Sequence, residues 1–342
     1  MKKHILRFTF VFFLTGLLTS SGFGQVQSFG AGITAKKFHA ATVDGNNVVW
    51  FLSDAGIVSF DGAKWNLHNA NSKVPQNELK AISNDLSDGN VLWIATPKGA
   101  TAAKAPVDAN AEATTYVATN SKLLSENILS LVVGKPGLRW FGTDKGIFAF
   151  DKAKWLDNTY LDKYPEDLFV DYPITSMATS PDGDSLYAGT IGGGVFRVYK
   201  NEVDGISGAS EYAEWGPIIM PSDDVYCVHI ASDGTQWIGT DKGIAKHKGG
   251  NTLEGWTVYA KADGLVDDFV QAISSDKKGN IYFGTKAGLS VFNGTTWTSY
   301  KTDSGLASDN ILSIVTDKND SVWIGTDNGI SCFKGGKFTT YR

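Results

Sequence analysis

The side chains that could do chemistry in this chain are few. Five histidines and two cysteines supply all of its imidazole and thiol groups. No HExxH, CxxC, GxSxG or phosphate-loop pattern arranges them for metal, redox, nucleophilic or nucleotide chemistry. His229 shares strand phase with small residues and reads as a satisfied core group. His68 and His247 each end a strand. Acidic turns such as SPDGDS and DKKGN lack the later Glu of a calcium loop and fit ordinary hairpin turns. Ten tryptophans point instead to binding, because an indole face stacks on the apolar face of a sugar ring. Which of them are free to do so depends on the elements that carry them.

At the N-terminus Lys2, Lys3 and Arg7 flank an apolar run from Phe8 to Leu18, followed by small residues to Gly24. This is the plan of a secretory signal peptide. It predicts a leader over 1–24, removed near Gly24, and a secreted or periplasmic chain that starts near Gln25. No stretch reaches the roughly 20 apolar residues of a membrane helix, so no membrane span is expected. Net charge is −5, and loss of three basic and no acidic leader residues takes it to about −8. That balance lacks the basic excess of a general nucleic-acid binder. Cys227 and Cys332 lie far apart in the repeat scheme and predict no disulfide framework.

The C-terminal stretch SVWIGTDNGISCFKGGKFTTYR is a template that recurs along the chain. Its copies are VWFLSDAGI at Trp50, LWIATPKGA at Trp93, RWFGTDKGI at Trp140, LYAGTIGGGV at Tyr187, QWIGTDKGI at Trp237, IYFGTKAGL at Tyr282 and VWIGTDNGI at Trp323. Each unit divides into four short alternating segments separated by Gly, Asn and Asp turns; in the last copy these are NILSIVTD, SVWIGT, ISCF and KFTTY. Four strands per repeat at a period of about 45 residues predict an all-β, seven-bladed β-propeller with four antiparallel strands per blade. The blades fall at 36–68, 77–118, 125–158, 172–215, 223–259, 268–300 and 309–342, all within 25–342.

This register accounts for the tryptophans. Trp50, Trp93, Trp140, Trp237 and Trp323 hold the second strand, Trp65, Trp155, Trp256 and Trp297 open the fourth, and Trp215 fits by its spacing from Tyr212. Repeat position therefore assigns all ten to packing between blades. In blades two and four the fourth-strand aromatics, Tyr116 and Tyr212, sit farther out, which implies longer turns around Ala105 to Ala111 and Asn201 to Ala209.

Function is then sought where first strands line the axis. Aligned on NILSIVTD, one position holds Ala40, Ala81, Ser130, Ser176, Cys227, Ala272 and Ser313, a small ring that reads as architecture. The adjacent position, in the opposite phase, holds His39, Lys80, Leu129, Thr175, Tyr226, Gln271 and Leu312. Lys37, Glu78, Asn127, Asp224 and Asn310 lie nearer the mouth. This mixed polar set predicts a channel or pocket, with His39, Lys80, Tyr226, Gln271, Glu78 and Asp224 as candidate ligand-binding residues. The long linker NTYLDKYPEDLFVDYP adds Tyr160, Tyr164 and Tyr172 as a rim candidate.

The repeat WIGTDNGI, with an FTTY-like strand and a DGL or SGL linker as in KADGLVDDFVQAI and TDSGLASDNILSI, resembles the two-component regulator propeller repeat. The resemblance is strongest in blades five to seven. In larger members of that family such propellers form the extracytoplasmic sensor part of hybrid histidine kinases, often linked to polysaccharide sensing. It implies a non-catalytic binding module for a glycan or an extracytoplasmic protein, with no cofactor and no metal. The sequence stops at the end of the seventh blade, so signalling by this chain alone is not expected. One alternative is a propeller enzyme, such as a metal-dependent lyase or a glycan-cleaving enzyme. The streptogramin lyases, similar at the level of fold, combine a metal with His and Glu, a role that would fall here to His39 with Glu78 or Asp224. The other alternative is a structural part of a surface assembly. Because KFTTYR supplies blade seven with its own fourth strand, QVQSFGAGIT need not complete that blade, and closure is expected to rest on packing between blades one and seven.

Overall fold

The hairpin at the centre of each repeat has one internal bond in common. A Ser or Thr hydroxyl donates to the carbonyl of the Gly that closes the turn: Ser53 to Gly56, Thr96 to Gly99, Thr143 to Gly146, Thr190 to Gly194, Thr240 to Gly243, Thr285 to Gly288 and Thr326 to Gly329, at 2.7–3.0 Å. Six of these glycines have φ between 107° and 135°, a conformation that side chains with a Cβ resist.

The structure is a computed structural model and describes residues 25–30, 32–69, 73–123, 125–134, 138–151, 154–156, 172–183, 185–199, 202–206, 220–248 and 255–342. The leader expected over 1–24 therefore lies outside the described residues. The strands form seven antiparallel meanders, each in the order first, second, third, fourth. The first strands are Phe38–Val43, Ala81–Asp85, Ile128–Val133, Ile174–Thr179, Val225–Ile230, Val270–Ser275 and Ile311–Thr316. Each contacts the first strand of the next blade, and the last contacts the first, so they form the innermost ring of a seven-bladed propeller. Among the described residues no helix is long and apolar enough to cross a membrane.

The core lies between blades, as the register of aromatics requires, except in blade four, whose fourth strand is Glu202–Ile206, directly behind Val195–Tyr199. The longer turn expected around Asn201 to Ala209 is absent there, and Tyr212 and Trp215 fall beyond that strand, outside the described residues. Trp50, Leu52 and Ile57 of blade one pack against Ile82, Leu92 and Ile94 of blade two, and Trp93 packs against Phe141 and Phe148 of blade three. In blades one, six and seven the second-strand aromatic is also pinned by an acid in the preceding turn. Trp50 Nε1 donates to Asp44 Oδ2 (3.1 Å), the Tyr282 hydroxyl to Asp276 Oδ2 (2.9 Å) and Trp323 Nε1 to Asp317 Oδ2 (3.0 Å).

Closure involves more than the packing expected from sequence. Blade seven has its own fourth strand, Lys337–Tyr341, and Gln25–Gln27 pairs with it in parallel as a fifth. Phe29 then turns inward, 5% exposed, with its ring centroid 5.3 Å from Phe38, 5.1 Å from Trp65 and 6.3 Å from Tyr341. Backbone bonds reinforce the junction: Gly329 N donates to Lys36 O at 2.8 Å and Arg342 N to Gln27 O at 3.1 Å. The N-terminal segment is thus a clasp joining the first and last blades.

Candidate functional site

The small ring is architecture with a specific cause. Ser130 Oγ donates to Ile174 O (2.8 Å), Cys227 Sγ to Val270 O (3.6 Å) and Ser313 Oγ to Phe38 O (3.1 Å), each reaching the first strand of the next blade. Across the hairpin from these residues stand Gly142, Gly239 and Gly325. A Cβ on any of the three would lie 2.3–2.4 Å from the linking oxygen or sulfur. The Gly of the repeated GT pair therefore makes room for the bond between blades. Burial raises the Cys227 thiol far above its usual range and keeps it protonated as a donor.

The neighbouring ring is a ring of bulges. In six blades the register between first and second strands slips by one residue, and the skipped residues are His39, Leu129, Thr175, Tyr226, Gln271 and Leu312. In blade two, Lys80 N donates to Ala95 O (2.9 Å) just before the paired strand begins. A bulge re-aims its side chain. Here Lys80 is exposed and the other six are partly exposed along the innermost strands.

Three bulge side chains spend their hydrogen bonds on the next blade. His39 Nε2 lies 2.8 Å from Leu79 O and, facing a carbonyl, must be the protonated nitrogen. Thr175 Oγ1 donates to Val225 O (2.6 Å), and Gln271 Nε2 to Ile311 O (2.7 Å) and Asn310 Oδ1 (3.0 Å). Burial, then the charges of Lys37 and Lys80, outweigh the Leu79 bond and hold His39 below its ordinary pKa.

Tyr226 behaves differently. Its ring packs on Phe269 with centroids 4.4 Å apart and planes tilted by 47°, and Lys286 Nζ stands 3.6 Å from the Phe269 centroid. Burial, followed by the carboxylates of Asp224 and Asp241, raises the Tyr226 hydroxyl above its usual pKa. Asp241 Oδ1 is buried without a hydrogen-bond partner. On the other flank, Asn310 Nδ2 donates to Asp327 Oδ2 (2.9 Å). Blades five to seven thus present an aromatic pair bordered by a cation, carboxylates and amides at the mouth. Phe269 was legible: it stands at the mouth position of Lys37, Glu78, Asn127, Asp224 and Asn310, the sole aromatic in that alignment. Lys286 sits in the KAG turn of blade six, and no spacing in the sequence ties it to Phe269.

The other candidates are distributed as follows. Glu78 is exposed and pairs with Lys98 (3.5 Å). Tyr172 is partly buried, 6.2 Å from Phe196 between centroids and close against Gly193. Tyr160 and Tyr164 lie outside the described residues. Asp144, in the GTDKG turn of blade three, accepts from Ser125 Oγ (2.5 Å) and Asn127 Nδ2 (3.1 Å). Burial would raise that carboxyl, but the two donors hold it below its ordinary pKa. Among the described residues no three His, Cys, Asp or Glu groups converge as a metal site.

Comparison with known proteins shows where this fold recurs. The two-component regulator propeller family model matches residues 305–328, the SGL linker and first half of blade seven. The extracellular domains of two hybrid two-component systems from B. thetaiotaomicron share the fold. One has a TM-score of 0.67 at 18% identity over 90% of this chain and 40% of that one. The other has a TM-score of 0.66 at 17% identity over 91% and 39%. This chain thus spans about two-fifths of their length. A streptogramin B lyase is similar as well, with a TM-score of 0.62 at 15% identity over 89% of this chain and 95% of that one. No curated protein matches by sequence.

Proposed function

We propose that the chain is an extracytoplasmic recognition module whose axial mouth binds a ligand, a glycan in the first instance, without transforming it. The observation that carries this reading is the Tyr226–Phe269 pair. It sets aromatic surface beside Asp224, Gln271 and Lys286 at the place where the bulges break the inner strands. Amphipathic rings flanked by a few directional polar groups suit a sugar, whose ring has an apolar face and a hydroxyl edge. The leader pattern, with cleavage near Gly24, supports a secreted or periplasmic location. The architecture shared with extracellular domains of two-component systems supports it too. The metal-lyase alternative finds less support. His39 Nε2 is committed to Leu79 O, and Glu78 is paired with Lys98.

The reading is tested by thermal shift of the purified protein against a broad oligosaccharide panel, with an extracytoplasmic pull-down beside it. At least one oligosaccharide raises Tm if the reading holds. No shift and no captured partner would overturn it.

A further inference from the structure

A second cavity, of about 540 Å3, lies off the axis between blade one and blade two. One wall is the long turn of blade two, where Pro106, Val107 and Asp108 fold back toward blade one. The other is built from the third and fourth strands of blade one, Gly56–Phe60 and Trp65–His68. The longer turn around Ala105 to Ala111 thus has a consequence in space, and its wall meets an unusual pair of side chains, Ser59 and His68.

The repeat supplies the control. Register places His68 at the position held by Tyr116, Tyr259, Tyr300 and Tyr341 in blades two, five, six and seven. Ser59, opposite Trp50, stands where those blades have Ala102, Lys246, Val291 and Cys332. Among these five blades only blade one joins a hydroxyl to an imidazole. His68 still packs against Trp50, with centroids 4.8 Å apart and planes tilted by 37°, so its packing role is kept.

The hydrogen-bond order is fixed by chemistry. His68 Nδ1 is 2.6 Å from Val107 O, and a carbonyl can only accept, so Nδ1 carries the proton. Nε2 is then the acceptor, and Ser59 Oγ–H donates to it across 2.8 Å. Hydroxyl, base and orienting acceptor follow one another as in a nucleophilic serine site. Burial holds His68 below its ordinary pKa against the charge of Asp108, which keeps the accepting nitrogen free at neutral pH. Asn66, directly across the sheet from Ser59, also lines the cavity; its amide donates to the Asp61 carboxylate and carries a second N–H as donor.

We propose that this cleft is an acyl-transfer site for small esters, with Ser59 as nucleophile, His68 as general base and Val107 O as the group that orients it. Asp44, Asp61 and Asp108 outnumber Lys64 on its walls, so the substrates are neutral or cationic rather than anionic. Ser59 Oγ bonds to the acyl carbon as its proton passes to His68 Nε2, and the carbonyl oxygen takes up charge facing the Asn66 amide. The C–O bond to the alcohol breaks as His68 returns the proton to the departing oxygen. Water, losing a proton to the same nitrogen, then cleaves the acyl-serine and regenerates Ser59, so ester and water give acid and alcohol.

The test uses the full-length protein, an aryl fluorophosphonate followed by intact mass, and p-nitrophenyl acetate hydrolysis. The wild type takes up one phosphonyl group on Ser59 with loss of fluoride. Ser59→Ala abolishes labelling, and His68→Tyr, which restores the aromatic of the other blades, slows both reactions by about 100-fold or more. A folded wild type that takes no label overturns the proposal, as does a Ser59→Ala protein that still takes it. Labelling of His68→Tyr at the wild-type rate removes His68 as the base. None of these outcomes depends on the axial site.

Discussion

Arg139 and Asp85, both fully buried, form an ion pair of 2.5 Å that joins blade three to blade two. The guanidinium also reaches Asp88 at 2.9 Å and lies over the rings of Trp93 and Phe150, 5.5 and 5.7 Å from their centroids. Asp85 meanwhile accepts from the backbone N–H and the hydroxyl of Ser87. Removing one member strands a buried charge, whereas removing both charges does not. Arg139→Met therefore lowers unfolding free energy by about 3–5 kcal/mol. Asp85→Asn added to Arg139→Met recovers most of it, because Asn still accepts from Ser87. Urea melts of the single and double variants measure the difference.

Phe29 tests the clasp. Its ring fills a site walled by Phe38, Trp65 and Tyr341 at the junction of the first and last blades. Truncating a buried Phe removes about 3–5 kcal/mol. Phe29→Ala lowers Tm accordingly and raises hydrogen exchange in Gln25–Gln27 and Lys337–Tyr341 before other strands. Uniform exchange across all blades would count against a clasp.

Gly325 tests the linkage between inner strands. A Cβ there would stand 2.4 Å from both Phe38 O and Ser313 Oγ. Gly325→Ala must push blade one away from blade seven and costs about 1–3 kcal/mol by overpacking. Thermal unfolding reads this directly, and an unchanged Tm would show that the ring yields there at no cost.

Stability also depends on pH through His229. Its Nε2 bonds Ser275 Oγ at 2.8 Å, and burial lowers its pKa to about 4. The unfolded chain takes up a proton near pH 6.5 while the folded chain does not until about pH 4, so stability drops as pH falls through that window. His39 and His68, also lowered, act in the same direction. His229→Gln, which keeps a hydrogen-bonding amide for Ser275 and cannot titrate, reduces the fall of Tm between pH 6.5 and 4. A slope unchanged from wild type would contradict this assignment.

Much of this was legible because a propeller repeats its physics. The second-strand aromatics located each blade, and the GT pair located the hairpins of blades three to seven. Opposite strand phase separated the small ring from the polar one. What periodicity could not show was the bulge, since an alternating pattern presumes an unbroken ladder and His39 or Gln271 looks like an ordinary strand residue. The clasp escaped because three residues, Gln25 to Gln27, carry no strand signature of their own. Ser59 and His68 were separated by a turn, and their contact depends on third- and fourth-strand register together with a loop from another blade. Pairings such as Phe269 with Lys286 depend on neighbouring loops meeting in space.

Recognition at the axial mouth is tested most directly by titration calorimetry with the oligosaccharide that gives the largest thermal shift. Wild type is compared with Phe269→Ala and Tyr226→Ala. Loss of an aromatic pair member weakens binding by about fivefold or more, taking stacking as worth ~1 kcal/mol beyond buried area, while the melting temperature of the unliganded protein stays within a few degrees. Equal affinity in all three proteins would place the ligand elsewhere and contradict the axial reading.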